Sequence, residues 1–148
     1  MRWEAAIKAL SLWQPWASLV AVEAKLYDTR SWSTKYRGVL AIHAAKFDKY
    51  IYHYDNPALN PLMREALIEG GFQTAHQIPV GAVLCLVSLV DCYPVEQVRD
   101  QLSEREIAFG DYGDGRFAWK LEMAHVFRPP VPARGHQGLW NWELNSEE

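Results

Sequence analysis

The chain has 148 residues, 49% of them hydrophobic and 22% charged, a balance that suits one globular domain, 1–148, with a sizeable buried core. A formal net charge of −3 argues against a protein that coats nucleic acid without discrimination. No apolar run approaches the roughly 18–20 residues of a membrane span, and the acid-bearing start MRWEAAIKAL does not read as a signal peptide, so a cytoplasmic chain with no membrane partner is expected.

In chain order, AAIKALSLWQ reads as a strand, after which Pro15 can take the first turn of a helix, where its missing N–H costs nothing. Trp16, Leu19, Val20 and Val22 then give one apolar helical face over about 15–24. KLYDTRSW reads as a strand rich in Thr and aromatics, and SWSTKYRG as a turn. The nearly all-apolar GVLAIHAA predicts a buried strand. Residues 47–72 read as two helical pieces, punctuated by Asn56-Pro57 and Asn60-Pro61 and closed by Gly70-Gly71. IPVGAVLCLVSLVDCYPV is the longest apolar run, and its valines favour a buried strand. PVEQVRDQLSEREIA predicts a short acidic helix and FGDYGDGRF a turn cluster. RFAWKLEMAHVFRPP alternates as a strand that its two prolines end, and ARGHQGLWNWELN is a turn into a final strand with Trp140 and Trp142 on one face. Five or six strands with three or four short helices make an α+β domain, a small curled sheet or barrel with helices packed outside.

Cys85 and Cys92 fall seven apart on one predicted strand, which puts them on opposite faces as small buried thiols. With no CxxC or HxxxH pair, neither a zinc site nor a metal of another kind is expected, and the absence of GxSxG, Walker A and Rossmann fingerprints implies no cofactor. The charge is unevenly spread: residues 1–50 carry +4 and residues 51–148 carry −7. Lys25, Arg30, Lys35, Arg37, Lys46 and Lys49 fall within 25–49, which suits contact with a phosphate or a short strand as well as an ordinary solvated face.

Four clusters carry candidate chemistry. Trp13 and Trp16 flank Gln14-Pro15 at a strand–helix junction, where rings either fill core or stack on a base, and Gln14 offers a donor and an acceptor to a base edge. On the KLYDTRSW strand Asp28, Arg30 and Trp32 share a face, so Asp28 and Arg30 form a candidate ion pair, while Thr29 points the other way. Lys25 stands at the corner before it; pressed against aromatics, it would have a lowered pKa and act as a base. His43 interrupts an apolar strand, either as a satisfied core histidine or as a ligand for a phosphate, and Arg37 could reach a phosphate from its loop. The fourth cluster, GHQGLWNW, reads as a tight turn at Gly135 and Gly138.

Taken together, LSLWQPWASLV, the K-x-x-D-T-R-S-W stretch from Lys25 to Trp32, YRGVLAIHAAK, GAVLCLVSLVDC and QGLW resemble the ASCH (activating signal cointegrator homology) domain of the PUA-like group, in the family's order over residues 9–140. The resemblance implies a small PUA-like β-barrel with helices capping a cleft. It also implies RNA or nucleoside recognition, with Lys25, Asp28 and Arg30 facing that cleft beside Trp13–Trp16. One branch of the family hydrolyses N4-acetylcytidine with a Lys-x-x-Thr motif and a later Glu. Here Lys25 matches the lysine, Asp28 holds the threonine position, Thr29 is one residue on, and Glu104 and Glu106 are candidates for the acid. Glu23-Ala24-Lys25 departs from the common G-x-K corner.

Three readings follow. The first is an RNA- or modified-nucleoside-binding module using Trp13, Gln14, Trp16, Lys25, Asp28, Arg30, Arg37 and His43. The second is an amidohydrolase with Lys25 as base and Asp28 or Thr29 assisting. The third is a protein-interaction module using the acidic surface around 96–114.

Overall fold

The nearly all-apolar stretch Gly38–Ala44 needs partners on both edges, and it finds them inside a six-stranded sheet. The computed structural model describes residues 3–46 and 60–146. Its strands are β1 (Trp3–Leu12), β2 (Tyr27–Arg30), β3 (Gly38–Ala44), β4 (Ala82–Pro94), β5 (Phe117–Pro132) and β6 (Leu139–Ser146). They lie in the order β2-β5-β4-β3-β1-β6, with β1 and β3 parallel and every other neighbouring pair antiparallel. The sheet curls into a half-barrel, and short helices α1 (Trp16–Ala21), α2 (Pro61–Glu69) and α3 (Glu104–Ala108) accompany it, the small α+β PUA-like architecture expected.

One face of the sheet buries Leu10, Leu40, Ile42, Val87, Leu89 and Trp119 against Ala17 and Val20 of α1. On the other face the small side chains Ala9 and Ala41 leave room for Trp140 and Trp142, which share a face of β6 as the alternation predicts. A satellite cluster joins Leu19 of α1 to Met63 and Leu67 of α2 and to Phe109 just past α3. Helix α1 therefore belongs to two cores, which fixes its position over the end of the sheet.

Four expectations need correction. The prolines do not end β5, which runs through Pro129 and Pro130 to pair Val131 with Val83 and Pro132 with Ala82. Strand β2 pairs only with residues 117–120 of β5, so the later prolines lie where no ladder on that side asks for their missing N–H. The acidic stretch is not one helix: 3₁₀ turns at Val95–Gln97 and Arg99–Gln101 precede α3, whose start Ser103 caps by accepting the Glu106 N–H at 3.1 Å. Cys85 and Cys92 do not oppose one another across the sheet. The register shift at Leu89/Asp91, where β4 advances two residues against one of β5, breaks the two-residue period, and both sulfurs pack on the same core cluster. Finally, α1 is shorter than 15–24. The helical piece expected around Asn56-Pro57 lies outside the described residues.

The end of α1 sets up everything that follows. Glu23 adopts a left-handed conformation (φ 62°), its N–H donates to the Val20 carbonyl (3.0 Å), and the Ala24 N–H donates to that of Leu19 (2.9 Å). This is a Schellman turn with glutamate where glycine fits best, and it swings Lys25 back toward the helix. Glu23→Gly should relieve the left-handed strain and raise stability by about 0.5–1 kcal/mol in urea denaturation; a loss of stability would contradict this account of the corner.

Candidate functional site

Between the end of β1, the start of α1, strand β2 and the loop after α3 lies a cleft of about 500 Å³. Trp13 and Trp16 come from the first two elements, Lys25 from the Schellman corner, and Asp28, Thr29, Arg30 and Trp32 from β2 and its continuation. Met63, Phe109, Asp111 and Arg116 close the far side.

Lys25 lies at the base of this arrangement and is only 3% exposed. Its Nζ makes no hydrogen bond among the described residues. Burial pulls its pKa below the ordinary lysine value; the carboxylates of Asp28 and Glu106 oppose that shift, and Arg30 adds slightly to it. Glu106 is itself buried. Its Oε1 accepts the Leu26 N–H at 2.9 Å and its Oε2 the Tyr27 N–H at 3.3 Å, so α3 grips the backbone immediately after the lysine. Of the two glutamates considered from sequence, Glu106 is the one that faces Lys25 electrostatically, and Glu104 does not act on it.

Asp28 and Arg30 form the ion pair that strand alternation suggests, with Arg30 Nε donating to Asp28 Oδ2 at 2.7 Å. Arg30 Nη2 also donates to the Ser11 carbonyl (3.2 Å), tying edge strand β2 to the end of β1. Thr29 has a different task. Its Oγ1 accepts the Asp111 N–H at 2.9 Å, and its carbonyl accepts from Arg116 Nη2 at 3.3 Å, so it anchors the loop on the rim.

The tryptophans divide. Trp119, Trp140 and Trp142 are buried in core clusters, whereas Trp13 and Trp32 are 45% and 37% exposed and Trp16 is half-buried, all three lining the cleft. Trp32 is held edge-on against Trp119, whose Nε1 donates to the Trp32 carbonyl at 3.2 Å.

Three candidates stand elsewhere. Gln14 is fully buried: its Oε1 accepts the Ser18 N–H (2.9 Å), and its Nε2 donates to Ser18 Oγ and the Pro79 carbonyl (both 2.7 Å). Its amide locks the first turn of α1 and has no edge to offer a base. Arg37 is exposed and pairs with Asp91 at 3.2 Å, away from the cleft lining. His43 is buried, with Nδ1 2.9 Å from Ser11 Oγ and Nε2 2.8 Å from the Ala133 carbonyl. A carbonyl only accepts, so Nε2 carries the proton. Ser11 Oγ accepts the Trp140 Nε1–H at 3.1 Å and gives its own hydrogen to Nδ1 of the neutral ring. Burial lowers the His43 pKa, with a smaller push from His136, while the bond to Ala133 opposes the shift. Gly135 makes this packing feasible, because a Cβ there would meet His43 Cε1 at 2.5 Å and Ser11 Oγ at 2.7 Å.

Alternation places Trp32 on the Asp28 face without marking it as a ligand contact, and FGDYGDGRF reads as a turn cluster overlapping the acidic surface around 96–114. Phe109, Asp111 and Arg116, all within that segment, complete the cleft. Among the described residues no group of His, Cys, Asp and Glu is arranged to hold a metal ion, and no helix is long and apolar enough to cross a membrane.

Comparison with known proteins bears on the same region. Activating signal cointegrator 1 from Homo sapiens is 29% identical to the chain over 132 residues, and the Mus musculus protein of that name is 28% identical over the same length. The match takes in 88% of this chain but 21% of each relative, so the chain spans about a fifth of the curated relatives' length. The ASCH domain model matches residues 10–131, from the end of β1 almost to the end of β5 and across every strand and corner that builds the cleft. On that match, the chain belongs to the ASCH domain family.

Proposed function

We propose that the cleft binds a nucleobase of RNA or of a modified nucleoside. The observation that carries this reading is the convergence of three partly exposed tryptophans with Asp28 in one cleft of about 500 Å³. A base stacks on an aromatic face whatever its sequence, and each such stack contributes about 1–3 kcal/mol. Asp28 supplies selectivity. Arg30 holds one of its oxygens, and the carboxylate accepts from an exocyclic amine such as that of cytosine. Gln14 and Arg37 have no part in it, since their polar groups are committed elsewhere.

Tryptophan fluorescence titration tests the reading. Cytidine should quench the cleft tryptophans and bind more tightly than uridine. Trp16→Ala should weaken cytidine about tenfold or more, and Asp28→Ala should erase the preference over uridine. No quenching or stability shift with any nucleoside or short RNA would contradict it.

A specific observation also favours a second reading, an amidohydrolase acting on N4-acetylcytidine-like substrates. The buried amine of Lys25, lowered in pKa and without a hydrogen-bond partner among the described residues, has the properties of a base. Neutral Lys25 takes a proton from water as the water oxygen attacks the acetyl carbonyl. The C–N bond then breaks, and the ammonium returns that proton to the leaving amine. Thr29 Oγ1 already accepts the Asp111 N–H on the rim, so Asp28 is the polar partner on which this reading relies. Because the base must be neutral, turnover should rise with pH through the lowered pKa of Lys25 and vanish in Lys25→Met. Chromatography showing no cytidine released between neutral and alkaline pH would remove this activity. The protein-interaction alternative lacks such support: over 96–114, Ile107 is the one large apolar side chain that is exposed.

A further inference from the structure

Beside the cleft opens a second, larger pocket of about 1320 Å³. The two share Ser11, Leu12, Trp13 and Arg30, so they are halves of one continuous depression with Trp13 standing at the divide. The cleft sets the carboxylates of Asp28 and Asp111 beside Lys25, Arg30 and Arg116, whereas no Asp or Glu is among the described residues lining the second pocket. Lys46 and Arg134 bring positive charge there, with His136 beside them, while Arg30 at the border is already paired with Asp28. Lys46 and Arg134 are exposed. The wall behind them is rigid: Gly135 packs on the Ser11–His43 pair, and His43 is bonded to the Ala133 carbonyl.

A phosphate in the cleft would compete with Asp28 and Asp111 for Arg30 and Arg116, and one in the second pocket would meet no carboxylate among its described lining. The pocket is also far roomier than a single phosphate requires. Trp13, 45% exposed, stands at the divide between the two halves. We infer that the ligand of this protein is a single-stranded oligonucleotide that occupies both halves, with one base in the cleft and the sugar–phosphate backbone of the adjoining nucleotides against Lys46 and Arg134. This rests on the base-binding reading of the cleft and makes the target a strand, not a free nucleoside. It also reconciles a net charge of −3 with nucleic-acid binding, because Lys46 and Arg134 act locally in a pocket whose described lining holds no Asp or Glu.

Calorimetric titrations with cytidine, cytidine triphosphate and the trinucleotide CpCpC, each at two or more salt concentrations, test the inference. The trinucleotide should bind at least tenfold more tightly than cytidine at low salt. Its log K should fall with log salt by about 0.7 for each phosphate contacted, while cytidine stays nearly flat. The double variant Lys46→Ala/Arg134→Ala changes two exposed side chains outside the cleft. It should abolish the trinucleotide's advantage and leave cytidine binding within twofold of the parent. Cytidine binding with no gain from the strand, or a gain that survives the double variant, would overturn this inference alone. Cytidine triphosphate binding as tightly as the trinucleotide would assign the pocket to terminal phosphates and overturn it too. Failure of cytidine and trinucleotide together would overturn the base-binding reading with it.

Discussion

Burial of the Lys25 amine within the fields of two carboxylates is the constraint around which the cleft is organised. A Schellman turn closes α1, and its left-handed Glu23 turns the chain so that Lys25 enters the interior. Glu106, from an element 80 residues away in sequence, accepts the next two backbone N–H groups and holds the corner in place. An isolated ammonium in such a position costs several kcal/mol, which the charges of Asp28 and Glu106 offset in part. Desolvation wins, so the folded chain binds the lysine proton less tightly than the unfolded chain does. Between the folded pKa and the ordinary value of 10.5 the unfolded state therefore carries more protons, and this group's contribution to stability grows as pH rises through that window. A residue that costs stability near neutral pH while lining a cavity has the profile of a functional group.

The rest of the site is scaffolding for that corner. Arg30 ties β2 to the end of β1 and fixes one Asp28 oxygen, so the carboxylate is oriented before any ligand arrives. Thr29 and Arg116 fasten the rim loop from the strand's other side. Gln14 does comparable work from beneath, clamping the first turn of α1 to the Pro79 carbonyl so that Trp16 is presented at a fixed angle. Aromatic bulk serves both ends of the design. Trp119 is fully buried in the main core, and through its indole N–H it steadies Trp32 on the cleft wall.

Much of this was legible in the sequence where a local rule held. Alternation put Asp28 and Arg30 on one face, the apolar run at 38–44 predicted a buried strand, and Trp140 and Trp142 fell together on β6. The misses have physical causes. Gln14 lies beside two rings in sequence, but a buried Ser18 N–H and the Pro79 carbonyl both needed its amide. The parity of Cys85 and Cys92 failed because one extra residue in β4 between Leu89 and Asp91, which no periodicity reveals, shifts it against β5. Glu106 was half-readable. Ser103-x-x-Glu106 has the form of a capping box, and Ser103 does cap α3, but the glutamate side chain leaves its own helix to serve Leu26 and Tyr27. Long-range satisfaction of backbone groups is invisible to local pattern.

The central claim, that Lys25 is a desolvated amine lining the cleft and not an ordinary surface lysine, is tested most directly by titrating that amine. NMR of the lysine side-chain carbons and nitrogens against pH, with Lys25→Met assigning the resonance, reads its pKa without needing a ligand. The account predicts a midpoint clearly below 10.5, the ordinary lysine value. A midpoint at or above that value would mean that the carboxylates outweigh burial, and it would contradict the account.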